Sequence, residues 1–262
     1  MTLARGHNRI ARRSSPDPGP NERSLVRICG LAAVAAVFRR DPERVERLFF
    51  EPRLRGAVGG FGSQLAAVHK PYREVEAAEL ARVAGTVLHG GIAAIARPRP
   101  LASFDPSLAP SWARDGKPIL VLDGIGNPHN LGAIVRTAAF FGIVRVVLAD
   151  RPDQALPSDA SYRVAEGGLE YITLYRASLP KALRDLAAGY RVIGTALGRG
   201  VDPTRLDKDK PAAIVLGNEE TGLDRASLAA CEAIVTIPGS GNVQSLNVAA
   251  AAAILIYTLT RS

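Results

Sequence analysis

The chain has 262 residues, of which 47% are apolar and 22% are charged, as is usual for a soluble globular protein. No apolar run reaches the ~18 residues needed to cross a bilayer, and no apolar segment of a secretory signal follows the basic N-terminus. The two cysteines, Cys29 and Cys231, lie far apart without metal-ligand spacing, so we expect no disulfide framework and no metal. From the absence of a membrane span and of a signal segment we expect no membrane contact and a cytoplasmic location.

The net charge of +8 is concentrated in the first part of the chain. Residues 1–115 contain 18 Lys and Arg against 11 Asp and Glu, whereas residues 116–262 contain 15 against 14. A basic excess indicates a polyanion partner, although a solvated surface gives the same signal. Charge alone therefore leaves nucleic-acid binding and a merely charged surface equally open.

The first part of the chain predicts a basic tail, a compact α/β unit and a linker. Residues 1–22 are rich in Arg, Ser, Pro and Gly and predict a disordered tail. Residues 98–116 contain several prolines and few periodic apolar positions, which predicts a linker. Between them, over 23–97, the patterns predict strands at 25–28, 47–50 and 91–96 and helices at 30–40, 62–69 and 76–83.

The remainder, residues 117–262, alternates between apolar strands and helices. β-Branched, apolar strands separated by helices predict a parallel sheet covered on both faces. Ligands of such sheets bind where loops leave the carboxyl ends of strands, and the polar, glycine-rich segments lie at those points. Strands are predicted at 119–122, 144–148, 171–174, 192–196, 213–216 and 233–237, and helices at 130–141, 178–188, 222–231 and 245–258.

The first polar segment runs from Asp123 to Arg136 and leads from a predicted strand into a helix. We expect Asn130 to cap this helix, and a loop before a helix N-terminus suits an anion. The segment lacks the GxGxxG fingerprint and the P-loop lysine, which argues against dinucleotide or triphosphate binding. Alone, Asn130 and Arg136 are better explained as a helix cap and a surface arginine.

The second and third segments also follow predicted strands. In the second, Gly217 precedes Glu219 and Glu220, and such paired acids suit acid–base chemistry, metal binding or simply the first turn of a helix. In the third, glycines and Ser245 lead into an all-apolar helix that we expect to be buried on every side. Each segment alone is a weak signal, but the order of all three is specific.

Together the three segments resemble the motifs of the SpoU/TrmH methyltransferases, which belong to the SPOUT class. Residues 24–96 resemble the substrate-binding domain, related to a ribosomal-protein fold, that precedes the catalytic domain in ribosomal guanosine methyltransferases. The chain departs from the family at two positions. Gly90 is the middle residue of a segment that usually reads H-Q-G in the family, and Glu220 stands where glycine is common. The motifs are N-x-G-x-x-x-R at Asn130, Gly132 and Arg136, G-N-E-x-x-G-L at Gly217, Asn218, Glu219, Gly222 and Leu223, and I-P then S-L-N at Ile237, Pro238, Ser245, Leu246 and Asn247.

The resemblance implies a methyltransferase that uses S-adenosylmethionine to methylate a ribose 2′-OH in rRNA, at guanosine in the first instance, or in tRNA. It also implies a homodimer and a C-terminal trefoil knot, where periodicity alone predicts an ordinary doubly wound sheet. By resemblance, the catalytic residues are Asn130, Arg136, Glu219, Ser245 and Asn247, and the cofactor contacts are Thr195, Ala196, Leu197, Gly217, Ile237 and Leu246.

By the same resemblance, Arg136 activates the ribose hydroxyl. Because a guanidinium has a pKa above about 12, we expect Arg136 to stay charged, hold a neighbouring phosphate and stabilise the forming alkoxide. Two alternatives stay open, namely methylation of a base and a non-catalytic RNA-binding or ribosome-assembly protein that keeps the fold. A nucleotide-dependent oxidoreductase lacks its phosphate fingerprint.

Overall fold

The computed structural model of the protein describes residues 25–198 and 200–260, so the predicted tail over 1–22 lies outside the described residues. The described chain contains a small mixed sheet followed by a seven-stranded parallel sheet. This arrangement confirms the predicted parallel α/β fold with a small α/β unit in front. The trefoil knot stays a prediction.

The N-terminal unit is built on a four-stranded sheet. Its elements are β1 (Val26–Cys29), α1 (Leu31–Arg40), β2 (Val45–Phe50), α2 (Arg55–Ala67), β3 (Tyr72–Glu74), α3 (Ala77–Ala84) and β4 (Ile92–Ala96). The strands lie in the order β1-β4-β2-β3, with β4 antiparallel to both neighbours and β3 parallel to β2. The sequence pattern misses β3, because this strand is short and mostly exposed. It also starts α2 too late, because glycines weaken the helical signal there.

The C-terminal unit carries the parallel sheet, with strand order β11-β9-β10-β6-β7-β8-β5. The strands β6 and β10 lie at its centre and are buried along their whole length, which is why their sequences are continuous apolar runs. The elements are β5 (Ala102–Ser103), α4 (Ala109–Ala113), β6 (Ile119–Asp123), α5 (Pro128–Phe140), β7 (Arg145–Ala149), α6 (Asp159–Ala165), β8 (Thr173–Ala177), α7 (Lys181–Leu186), β9 (Arg191–Thr195), β10 (Ala212–Gly217), α8 (Arg225–Ala229), β11 (Ala233–Val235) and α9 (Val248–Thr260).

Residues 98–116, predicted as a linker, are part of this unit. The strand β5 pairs with β8 and forms the last strand of the sheet, and the helix α4 buries Trp112 against the rings of Phe104 and Tyr175. A two-residue strand and a five-residue helix are too short to show an apolar period. The prolines are therefore the main signal in this segment, and they predict a linker. The segment therefore closes one edge of the sheet.

Three further elements differ from the prediction. The helix α6 is not predicted, and β8 begins two residues later than expected, at Thr173. The helix α9 is not buried on every side, because Ile254 and Tyr257 are 39% and 48% exposed. No helix among the described residues has the length and hydropathy to cross a membrane.

The two units share one hydrophobic core. Val34 and Val37 of α1 belong to the same buried cluster as Leu131 and Val135 of α5. Gly167, which follows α6, permits this close approach, since a Cβ at that position would lie 2.8 Å from the Cβ of Ala36 in α1. Packing therefore fixes the N-terminal unit on the C-terminal unit.

A buried ion pair reinforces the contact between the units. Arg44 Nη2 donates to both carboxylate oxygens of Glu170 over 2.7 and 2.9 Å, and both side chains are almost fully buried. Arg99 lies close by and donates to the carbonyl oxygens of Leu169 and Glu170. Burial raises the pKa of the Glu170 carboxyl, against the opposing charges of Arg44 and Arg99. The carboxylate therefore depends on its arginine partners.

We predict that Arg44→Ala lowers the free energy of unfolding by about 3–5 kcal/mol, because it leaves the Glu170 carboxylate buried without its main partner. Urea denaturation measures this loss. The control is Arg82→Ala, which removes an exposed arginine of α3 and is expected to change stability by less than about 0.5 kcal/mol. Equal effects of the two substitutions would contradict the role of the buried pair.

Candidate active site

The three polar segments leave the large sheet at one edge. The strands β11, β9, β10 and β6 are parallel neighbours, so their carboxyl ends lie together. Thr195 ends β9, Gly217 ends β10 and Asp123 ends β6, while Ile237 follows shortly after β11. This edge is where ligands of parallel sheets bind.

The carboxylate of Glu219 joins the first two segments. Its Oε1 accepts from Asn130 Nδ2 over 2.8 Å, and its two oxygens accept from the backbone N–H groups of Gly126 and Asn127 over 3.2 and 3.3 Å. Asn218 adds a second link, because its Nδ2 donates to the carbonyl of Gly124 over 2.7 Å. The loop after β10 therefore holds the loop that precedes α5.

The third segment joins the same network through Asn247. Its Nδ2 donates to Asn130 Oδ1 over 3.1 Å, and its Oδ1 accepts from the N–H of Ala249 and so caps α9. The amide of Asn130 consequently bonds to Asn247 on one side and to Glu219 on the other. The three segments therefore meet in space through these three side chains.

Asn130 does not cap α5 as predicted. The helix begins at Pro128, and its cap is Asn127, whose Oδ1 accepts from the N–H of His129 over 2.9 Å. Asn130 therefore lies within the first turn, and its amide bonds across to the other two segments. The prediction was wrong because either asparagine satisfies the local capping pattern.

Gln154 supports the same loop and was missed by the sequence analysis. It is buried, its Oε1 accepts from the N–H groups of Gly124 and Ile125, and its Nε2 donates to the carbonyls of Ile125 and Ala155. The loop that carries Gln154 has no apolar period, so the sequence offers no signal beyond a single glutamine.

Two expected catalytic residues lie outside this network. Arg136 forms an ion pair with Glu166, with Nη1 and Oε1 separated by 3.0 Å and both side chains about half exposed. Ser245 is exposed and forms no hydrogen bond with another described residue. The network thus unites Asn130, Glu219 and Asn247, whereas Arg136 and Ser245 face outwards.

The environment of Glu219 keeps its carboxyl group ionised. Partial burial acts to raise the pKa of Glu219, but the hydrogen bonds from Asn130, Gly126 and Asn127 outweigh this effect and lower the pKa below its ordinary value. A carboxylate with a lowered pKa has no proton to donate at neutral pH and is a weak base. Glu219 therefore acts as a fixed acceptor that orders the loops.

The expected cofactor contacts lie along the same edge of the sheet. Thr195 Oγ1 donates to the carbonyl of Val215, and the carbonyl of Ala196 accepts from Thr236 Oγ1. At Gly217 a Cβ would lie 2.3 Å from the carbonyl carbon of Gly222, so no larger residue fits that turn. The backbone at these strand ends is therefore closely fixed.

The loops around these strand ends have exposed backbone at several glycines. Beside Gly198, Gly222, Gly239 and Gly241 an added Cβ would meet no atom within 4 Å, so the backbone there is open to close approach. In the same loops the expected contacts Leu197 and Leu246 are 57% and 51% exposed, while Ile237 is partly buried. Backbone and aliphatic side chains are therefore both accessible along these loops.

The fold and these motifs define an RNA 2′-O-methyltransferase joined to a substrate-binding unit. The chain belongs to the SpoU rRNA methylase family, whose sequence profile matches residues 117–257. A second profile, that of the substrate-binding domain of RNA 2′-O-ribose methyltransferases, matches residues 27–102. The two matches correspond to the two units of the structure.

Two relatives resemble the chain over most of its length. An uncharacterised tRNA/rRNA methyltransferase, YfiF of Escherichia coli O157:H7, is 32% identical over 95% of this chain and 73% of its own. The 23S rRNA (guanosine-2′-O-)-methyltransferase RlmB of Acinetobacter baylyi is 32% identical over 88% of this chain and 95% of its own. Among solved structures, the AdoMet-bound rRNA methyltransferase of Sinorhizobium meliloti shares the fold, with a TM-score of 0.73, 24% identity and coverage of 91% and 88%.

We predict that Glu219→Gln lowers the free energy of unfolding at neutral pH by about 1–3 kcal/mol, because a neutral amide replaces an acceptor of three hydrogen bonds. The folded-state pKa of Glu219 lies below its ordinary value of 4.5, so this stabilisation is fully present above that pH. It is lost as the pH falls through the folded-state pKa.

The measurement is urea denaturation of wild type and Glu219→Gln at pH 7 and at steps below the ordinary pKa of Glu219. We expect the difference between the two proteins to shrink in acid. Glu220→Gln, which changes the adjacent exposed acid, is the matched control and is expected to leave stability unchanged. A difference that does not vary with pH would show that the carboxylate charge is not responsible.

Proposed function

We propose that the protein transfers the methyl group of S-adenosylmethionine to the ribose 2′-OH of a guanosine in ribosomal RNA. The observation that carries the proposal is the network of Asn130, Glu219 and Asn247, which joins the three family motifs at the carboxyl edge of the sheet. The substrate-binding profile over residues 27–102 supports RNA as the substrate. The likeness to a 23S rRNA guanosine methyltransferase supports the choice of nucleotide and RNA.

We assign the cofactor to the edge formed by Thr195, Ala196, Leu197 and Gly217 together with Ile237 and Leu246. The open backbone beside the loop glycines and the half-exposed leucines support this assignment. The bound sulfonium supplies an activated methyl group, so the protein needs to bind, orient and exclude water rather than create a reactive group. Correct alignment of the 2′-OH with that methyl group supplies much of the rate.

We assign Arg136 to the ribose and its neighbouring phosphate. A guanidinium remains charged at neutral pH, and its planar fork suits a phosphate or a developing alkoxide. The side chain is about half exposed, which leaves it accessible to a polyanion. Ser245, which is also exposed, is assigned to the substrate side of the same site.

RNA binding is assigned to the unit predicted over 23–97. Arg39 and Arg40 are exposed at the end of α1, and both lie against Tyr171 of the C-terminal unit. Two cations beside an aromatic ring at this junction suit a nucleic-acid strand that runs from one unit to the other.

A homodimer is the second part of the proposal. Phe140, which is 83% exposed, stacks edge-on against Phe141, and Phe141 packs against Tyr257 of α9. With Ile254, these residues form an apolar surface, here called the α5/α9 surface, that a second copy of the chain would cover. Arg136 lies on α5 one turn before Phe140, so such a dimer would bring the site close to the partner.

A methyl-transfer assay with purified RNA distinguishes the proposal from three other functions, namely tRNA ribose methylation, base methylation and RNA binding without catalysis. We expect the protein to bind S-adenosylmethionine and to methylate ribosomal RNA, and nucleoside mass spectrometry to find 2′-O-methylguanosine in the product. Methylated tRNA or a methylated base would replace the substrate or the reaction proposed. Calorimetry that detects no cofactor binding would favour the non-catalytic function.

We predict that Arg136→Lys retains folding and cofactor affinity but loses most methyl transfer, about 100-fold, because lysine lacks the planar fork. The readouts are circular dichroism, calorimetry with S-adenosylmethionine and transfer of a labelled methyl group to RNA. Arg184→Lys, at an exposed position of α7, is the control and is expected to keep full activity. Near wild-type turnover by Arg136→Lys would remove Arg136 from the proposed chemistry.

For the dimer, we predict that Phe140→Glu converts the protein to a monomer in sedimentation experiments, because a charge would be buried in the apolar α5/α9 surface. The control is Val68→Glu, which places the same charge at an exposed apolar residue outside the α5/α9 surface. Val68 is 59% exposed, and we expect its substitution to leave the dimer intact. A wild-type protein that sediments as a monomer, or a dimer that tolerates Phe140→Glu, would show that this surface is not the interface.

A further inference from the structure

Glu166 is the ion-pair partner of Arg136, and its position in the fold is unusual. Its Oε1 lies 3.0 Å from Arg136 Nη1, and the two side chains are 55% and 56% exposed. An exposed pair of this kind contributes little to stability, typically below about 1 kcal/mol. The free energy of folding therefore does not explain this pair.

The backbone of Glu166 is held in a conformation that non-glycine residues rarely adopt. It ends α6 with a φ of 44°, in the left-handed region, and Gly167 follows with a φ of 90°. Such a conformation persists only where the surrounding structure fixes it. The position from which the Glu166 carboxylate extends is therefore closely determined.

Two helices from different units fix this segment. At Gly167 an added Cβ would lie 2.8 Å from the Cβ of Ala36 in α1, and at Gly168 it would lie 3.1 Å from the Cα of Arg136 in α5. The two residues that follow Glu166 are thus packed between the N-terminal unit and the backbone of Arg136 itself. The backbones that carry the Glu166 carboxylate and the Arg136 guanidinium are consequently held at a fixed separation.

We propose that Glu166 is a positioning residue for Arg136. By pairing with Nη1 of the guanidinium, it orients the fork and leaves the remaining donors for the RNA phosphate and the ribose oxygen. The packing of α1 on Gly167 makes the N-terminal unit part of this support. This inference rests on the proposed function only in the role it gives to Arg136.

The first test is a double-mutant cycle with Glu166→Ala and Arg136→Ala in the full-length protein. We expect Glu166→Ala to lower kcat about tenfold or more, because a misdirected fork no longer meets the reacting oxygen, while the KM for RNA changes little. In the Arg136→Ala background the same substitution is expected to have no further effect on kcat. Glu166→Gln, which keeps an acceptor but loses the charge, is expected to fall between wild type and Glu166→Ala.

The matched control is Asp209→Ala, which removes another exposed acid paired with an arginine. Asp209 lies 2.8 Å from Arg191 Nη2, ahead of β10 and away from the carboxyl edge of the sheet. We expect unchanged kcat for this variant. An unchanged kcat in Glu166→Ala, or an equal loss in both Arg136 backgrounds, would overturn the positioning role.

A second measurement does not depend on methyl transfer. In protein labelled with ¹⁵N-arginine, the Nε–H resonance of Arg136, assigned by its absence from Arg136→Lys, reports the order of the side chain. We expect a resolved resonance in the wild type that broadens or moves in Glu166→Ala and stays in place in Asp209→Ala. If Glu166→Ala leaves this resonance unchanged, Glu166 does not position Arg136 and the inference is overturned. If the resonance responds as expected but the wild-type protein transfers no methyl group, only the proposed function is overturned.

Discussion

The site depends on one carboxylate, that of Glu219, and on the hydrogen bonds that it accepts. Three loops leave three different strands, and nothing in the sheet itself obliges them to meet beyond their common edge. Glu219 accepts from the side chain of Asn130 and from two backbone N–H groups, and Asn130 in turn bonds to Asn247. Because these donors favour the ionised form, the carboxylate stays charged and the loops stay joined.

The second constraint is the contact between the two units. A shared core and the buried ion pair of Arg44 with Glu170 fix the position of the N-terminal unit on the C-terminal unit. In the proposed function, a substrate-binding unit that is fixed in this way would present RNA to the carboxyl edge of the sheet in one orientation. The same contact holds Gly167, and through it the residue that pairs with Arg136.

Much of the fold follows from the sequence, and the exceptions have a common cause. Central strands such as β6 and β10 are buried on both faces, so their apolar runs are unmistakable. The elements that the patterns miss, β3, β5, α4 and α6, have only two to seven residues, which is too short to show an apolar period. The helix α9 shows the opposite error, since an all-apolar sequence does not reveal which of its sides stays uncovered.

The sequence by itself determined the residue types of the site, their order and the parallel sheet that brings their loops to one edge, because these follow from local pattern and strand direction. It could not determine which side chains meet. Asn130 and Arg136 share one motif but lie six positions apart on a helix of about 3.6 residues per turn, so they point to different faces. Only the tertiary structure decided that one face meets Glu219 and the other Glu166, because those partners come from distant parts of the chain.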